Sequence, residues 1–241
     1  MAYHFYNSEV IDIIDETPHV KRFVFRVPEL ESYDFLAGQF TMLNLPLDTK
    51  VRTRAYSIAS APNGTNTFEL VIVLKEDGLG TPFLWKNISI GSQVPVTKGI
   101  GKFMGPRPES IDTDLCFICT GTGVAPFRSV IHDIINHQIP HKKINLIFGC
   151  RFKEDILYRK EFEALQESLP GFHYYPIVSR KGDENWKGEV GYVHSVYQRL
   201  YANHEPCTFY ICGWKVMIMA ARHNLSHMGY DRKHIKFELY D

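Results

Sequence analysis

The feature that most constrains this chain is a change of texture at Gly105-Pro106-Arg107-Pro108. Before it, short alternating or β-branched runs at residues 9–14, 20–27, 39–45, 54–58, 67–74 and 92–96 are separated by turn signals such as Thr17-Pro18, Ala37-Gly38, Pro62-Asn63-Gly64 and Gly91. A period of two places successive side chains on opposite faces. Six such runs, interrupted by one short helix at 81–86, predict a small antiparallel barrel. After the boundary, strands predicted at 115–119, 143–149, 172–178, 207–212 and 235–239 alternate with helices at 126–137, 159–168, 193–201 and 215–228. That alternation implies βαβ units, hence a five-stranded parallel sheet with helices on both faces. Proline suits neither kind of interior, so the expected division is 1–108 and 109–241.

With 241 residues, the chain is long enough for two modest cores. Its 27 basic and 27 acidic residues balance, and each half is near neutral, so no global field favours nucleic acid or an anionic membrane. The longest apolar runs are strand-length, far short of the ~20 residues that span a bilayer, so no membrane insertion is expected. The start, MAYHFYNSEV, has no basic segment followed by an apolar run, and the expected location is the cytoplasm. Cys116, Cys119, Cys150, Cys207 and Cys212 form an odd, irregular set, which predicts free thiols. Cys116 and Cys119 lie three apart in a predicted strand and so face opposite ways. No iron-sulfur spacing exists and no metal site is expected.

Four segments carry residue types suited to chemistry. Arg54-Ala55-Tyr56-Ser57 is either an ordinary strand or a flavin site: an arginine pairs with a phosphate, a tyrosine ring stacks on isoalloxazine, and a serine hydroxyl bonds its polar edge. Gly78-Leu79-Gly80-Thr81 opens a short helix, where unpaired N–H groups suit a pyrophosphate held by Gly80 and Thr81; an ordinary turn is the alternative. Thr120-Gly121-Thr122-Gly123 joins a buried strand to a helix, with Pro126 in place of the third glycine of the usual dinucleotide fingerprint. Cys212-Gly213 ends the fourth strand of the parallel sheet, where ligands of such sheets bind; a packed thiol is the other reading of Cys212.

Taken in order, R-x-Y-S, G-x-G-T, T-G-T-G-x-A-P, C-G-x-x-x-M and a terminal E-x-Y resemble the ferredoxin-NADP reductase family over essentially the whole chain. Phe35-Leu36-Ala37-Gly38-Gln39-Phe40 and Gly99-Ile100-Gly101-Lys102-Phe103 are similar to two further family segments. The resemblance implies an FAD-binding barrel followed by an NAD(P)-binding domain. It implies that Arg54 binds a flavin phosphate, that Tyr56 stacks on the flavin with Ala55 beside it, and that Ser57 hydrogen-bonds near flavin N5. Gly80 and Thr81 would hold the FAD pyrophosphate, and Thr120, Gly121, Thr122 and Gly123 the dinucleotide phosphates. Cys212, Gly213 and Glu238 would flank the nicotinamide. Tyr240 would cover the other flavin face, although Asp241 follows it where plant-type members end.

The implied activity is hydride transfer from NADPH to FAD and delivery of single electrons to ferredoxin or flavodoxin by a monomeric enzyme. FAD can take up a hydride and release electrons singly, a chemistry that belongs to the cofactor. Alternatives are the reductase component of an oxygenase or haem-protein system, and a non-catalytic flavoprotein subunit. Lys50, Arg52, Lys98, Lys102 and Arg107 form either a basic docking rim or a scatter of solvated cations. NADPH is expected over NADH because Ser179-Arg180-Lys181 stands where family members grip the 2′-phosphate. Against this, Val190 stands where a second basic residue is expected, and Glu189 adjoins it. Tyr192 either stacks on adenine or packs.

Overall fold

A computed structural model describes residues 3–180, 182 and 186–240; Lys181 and Asp241, both named above, lie outside the described residues. The chain divides into two units, one of residues 1–107 with 125–138 and the other of residues 108–124 with 139–241.

In the first unit, β1 (Tyr6–Thr17), β2 (Val20–Arg26), β3 (Phe40–Leu47), β4 (Lys50–Ser57), β5 (Thr67–Val73) and β6 (Gln93–Val96) form one sheet of order β4-β3-β6-β1-β2-β5, every pair antiparallel. An Ile58–Leu70 bridge joins its two edges and closes the expected barrel, which leaves no long edge open to pairing with another chain. Alternate residues of these strands, including Phe23, Phe25, Leu43, Leu45, Phe68 and Leu70, are buried together as its core. Tyr33 stacks on Phe68 with ring centres 4.3 Å apart and donates its hydroxyl to the Thr97 carbonyl.

Two helices belong to this unit, α1 (Gly80–Asn87) and α2 (Ala125–Asn136). Helix α2 is tied to the barrel by Arg128, which donates to the Ala59 carbonyl and pairs with Glu69 at 2.9 Å, and by the Ser129 hydroxyl, which donates to the Ser60 carbonyl. Glu69 also receives Arg22 at 3.1 Å, so one carboxylate is neutralised by two guanidinium groups that approach it from different elements.

The second unit is a parallel sheet of β7 (Asp114–Thr120), β8 (Ile144–Cys150), β9 (Phe172–Val178), β10 (Glu189–Val190), β11 (Cys207–Trp214) and β12 (Ile235–Tyr240), in the order β10-β9-β8-β7-β11-β12. Helices α3 (Arg159–Ser168), α4 (Val193–Leu200) and α5 (Lys215–His227) connect them. The sheet therefore has six strands and not the five read from the sequence. The addition, β10, is two residues pairing with Ile177 and Val178, too short to show a period. Strands β7 and β8 are buried almost throughout, as central strands covered on both faces must be. Order reverses between β7 and β11, and the carboxyl ends of these two strands flank the switch point at which α/β sheets bind ligands. Among the described residues, no helix is long and apolar enough to cross a membrane.

Candidate functional site

On the barrel, Arg54 and Tyr56 are two apart in β4 and so share a face, while Ala55 between them is exposed on the other. Their face meets the start of α1. A Cβ added to Gly80 would lie 3.2 Å from Arg54 Cγ and 3.4 Å from Tyr56 Oη, so the glycine lets backbone and both side chains converge. Helix α1 begins without a side-chain cap, and its first N–H groups are the kind of donors an anion satisfies. The Thr81 hydroxyl accepts from Lys75 N–H at 2.8 Å and donates to the Lys75 carbonyl at 3.2 Å, so it closes the preceding loop, and the anion donors left here are backbone. A guanidinium beside orphan N–H groups suits a phosphate, and the half-buried Tyr56 ring is an apolar plate next to it. Burial pushes the Tyr56 hydroxyl up to about 12, against the pull of the Arg54 charge, so the ring stays neutral. Ser57 is buried at the end of β4, opposite Phe40 of β3.

The basic rim is thinner than its sequence suggests. Arg107 is held bidentately by Asp133 at 2.7 and 2.8 Å, which raises its pKa further, and Arg52 lies 3.9 Å from Asp48. Lys50, Lys98 and Lys102 remain exposed.

In the parallel unit, the carboxyl ends of β7 and β11 are laced through glycines. A Cβ on Gly123 would meet the Cys212 carbonyl oxygen at 2.5 Å and Gly213 Cα at 2.8 Å. Gly213 itself has φ +132° and lies against Thr120, whose hydroxyl also receives the Trp214 N–H at 3.1 Å. These glycines thus serve the closure of the switch point. Gly121, with φ +53° and open space where a Cβ would be, is the one of the three that packs against nothing. It opens a single 3₁₀ turn, Gly121–Val124, that leads straight into α2.

Cys212 is fully buried, in register with Cys119 of β7 and Glu238 of β12. Burial, then the Glu238 charge, pushes its thiol well up, with a hydrogen bond from Tyr240 opposing them, so it stays protonated. Tyr240 is the last residue of β12, in register with Trp214. Cys116 faces Cys207 and Tyr201, whereas Cys119 faces Cys212 and Cys150, the opposite faces that a period of two requires. All five thiols are free.

Further along the same rim, Ser179 N–H donates to the Cys150 carbonyl and Arg180 N–H to the Arg151 carbonyl, which sets two exposed arginines side by side beyond β8 and β9. Arg180 lies over the Phe152 ring at 5.9 Å. Tyr192 is 70% exposed, and its neighbour Gly191 donates to the Val178 carbonyl at the end of β9. Glu189 is held by two donors of Arg199, which neutralises the charge that argued against a phosphate here. Sequence reasoning missed Arg151 and Arg199, since only the tertiary fold brings the residue after β8 to Arg180 and the α4 arginine to Glu189.

Comparison with known proteins identifies the two domains. Residues 7–104 match an oxidoreductase FAD-binding domain and residues 117–223 an oxidoreductase NAD-binding domain. A "Ferredoxin--NADP reductase B" of Sorangium cellulosum is 32% identical over 98% of both chains. The "Anthranilate 1,2-dioxygenase electron transfer component" of Acinetobacter baylyi is 28% identical over 94% of this chain, which spans 61% of that protein. A ferredoxin NADP+ reductase of Neisseria gonorrhoeae, solved with bound FAD and NADP, is 27% identical with a TM-score of 0.81 over 99% of both chains. The class is therefore that of oxidoreductases that use FAD and a nicotinamide dinucleotide. Within it, the chain belongs to the ferredoxin-NADP reductase family.

Proposed function

We propose that the enzyme oxidises NADPH and passes single electrons to a small protein carrier, a ferredoxin or flavodoxin, with FAD on a domain of residues 1–108 and the dinucleotide on residues 109–241. The observation that carries the reading is the convergence of Arg54 and Tyr56 on Gly80 at the uncapped start of α1, a cradle that fits a flavin phosphate and ring. The likeness to the Sorangium protein, 32% identical over 98% of both chains, favours a ferredoxin reductase over an oxygenase component. FAD supplies the conversion of a two-electron donor into one-electron output; the chain's residues bind, orient and exclude water.

In this account Arg54 and the backbone at Gly80 and Thr81 bind the flavin phosphates, while Tyr56 and Tyr240 line its two faces. Ser57 donates at the flavin's polar edge. Thr120, Gly121, Thr122 and Gly123 seat the dinucleotide phosphates, and Ser179, Arg180 and Arg151 hold the 2′-phosphate with Tyr192 against the adenine. Cys212, buried and kept neutral, would back the nicotinamide site with Gly213, and Glu238 would flank it.

The test is a steady-state assay of the holoenzyme with NADPH or NADH and with purified ferredoxin, flavodoxin and ferricyanide as acceptors. Ferredoxin or flavodoxin reduction at rates well above direct chemical transfer supports the reading. Reduction of ferricyanide with neither protein reduced would assign the electrons to another acceptor.

A further inference from the structure

The histidines of α5 form an arrangement the reductase chemistry does not use. His223 and His227 are both exposed and lie one turn apart, so they share a face of the helix. Their ring centres are 4.1 Å apart with planes inclined at 48°. His227 Nδ1 is 2.9 Å from the His223 carbonyl oxygen. A carbonyl only accepts, so Nδ1 carries the hydrogen and Nε2 is left with its lone pair. A backbone carbonyl that fixes the tautomer in this way is the usual outer partner of an imidazole that ligates a metal.

We infer that His223 and His227 form an exchangeable two-imidazole site for a divalent transition ion, with Cu²⁺ held more tightly than Ni²⁺ or Zn²⁺. The i,i+4 spacing is the one with which two helical histidines of H-E-x-x-H sequences hold zinc. Here Asn224 replaces that glutamate and donates its amide to the Tyr197 hydroxyl, so the site supplies binding without a general base for hydrolysis.

Among the described residues no third His, Cys, Asp or Glu joins the pair, so water completes the coordination and the ion exchanges. Met219, one turn earlier, has its sulfur accepting from Arg222 at 3.6 Å, which favours a borderline divalent ion over a soft cuprous one. The rank among ions then follows the general order of divalent first-row metals for nitrogen donors. Arg222 and Arg232 line a groove with His223 and oppose a cation, while the carbonyl end of α5, at His227, attracts one. An ion there clamps the last turn of the helix.

The experiment titrates chelator-treated holoenzyme with Cu²⁺ alone in a non-coordinating buffer, read by calorimetry and by electron paramagnetic resonance. The expected result is one equivalent with the signature of two imidazole nitrogens, weakened about tenfold or more in both His223→Gln and His227→Gln, because each leaves a single ligand. Both positions are exposed, and an unchanged flavin spectrum verifies that each variant is folded. Absence of copper binding in the parent, or parental affinity in both single variants, would overturn the site.

Discussion

The two candidate binding sites, one on each unit, are built by opposite means. On the barrel, β4 presents the side chains of Arg54 and Tyr56 to a glycine at the start of α1, so the chemistry lies in side chains and the backbone yields to them. At the switch point of the parallel sheet, Gly123 of the 3₁₀ turn packs against the backbone of β11 at Cys212 and Gly213, so the backbone makes the surface and side chains stand back. The difference separates the consequences of mutation: a truncation on the barrel costs a ligand, whereas an added methyl at the switch point costs the fold.

The largest effect is therefore expected from Gly123→Ala. Its new methyl meets backbone atoms of Cys212 and Gly213, which cannot rotate away, and overpacking of this kind costs roughly 1 to 3 kcal/mol. A thermal melt should show destabilisation toward the upper end of that range; a parental melting temperature would mean that β11 accommodates the methyl. Arg54→Ala should instead leave the fold intact and weaken FAD retention about tenfold to a hundredfold, the equivalent of a charge-assisted contact of roughly 1.5 to 3 kcal/mol. Released flavin measured after dialysis checks this, and full FAD content in the variant would remove Arg54 from the phosphate.

Smaller effects sharpen the contrast. Arg180→Ala should reduce the preference for NADPH over NADH by about tenfold, at the low end for a charge-assisted contact because Arg151 remains beside it. A kcat/KM ratio that survives the substitution would make Arg180 an ordinary surface residue. Cys212→Ala should slow flavin reduction by NADPH in stopped flow while leaving flavin content unchanged, and a parental rate would return Cys212 to packing alone. The smallest effect concerns Tyr56, whose hydroxyl ionises near 10 when unfolded and near about 12 when folded. Below pH 10 both states are protonated. As pH rises from 10 toward 12 only the unfolded state loses its proton, so stability falls. Tyr56→Phe should fall less over that window than the parent in denaturant melts; identical slopes would deny the burial effect.

Much of this was legible in the sequence because it depends on local periodicity. Alternation gave six barrel strands and placed Arg54 and Tyr56 on one face, and apolar runs gave β7, β8 and β11. The ends of elements were less legible. Strand β1 runs over Tyr6–Thr17, beyond the predicted 9–14, because ladder hydrogen bonds continue where polar Asn7, Ser8 and Glu16 break the pattern. The two-residue β10 has no period at all, and so periodicity alone shows five parallel strands. Contacts set by the tertiary fold were invisible: Arg151 beside Arg180, Glu189 held by Arg199, and Asp133 drawing Arg107 out of the basic rim. The tight approach of Gly123 to β11 was hidden for the same reason, since a glycine that serves packing and one that serves a phosphate read alike.

The central claim is that one chain holds FAD and a nicotinamide dinucleotide so that hydride passes between them. An anaerobic titration of the purified holoenzyme with NADPH, followed at the visible flavin band, tests it most directly. The account predicts that the band bleaches with about one equivalent of NADPH and bleaches more slowly with NADH. A flavin band that neither nucleotide bleaches would contradict it.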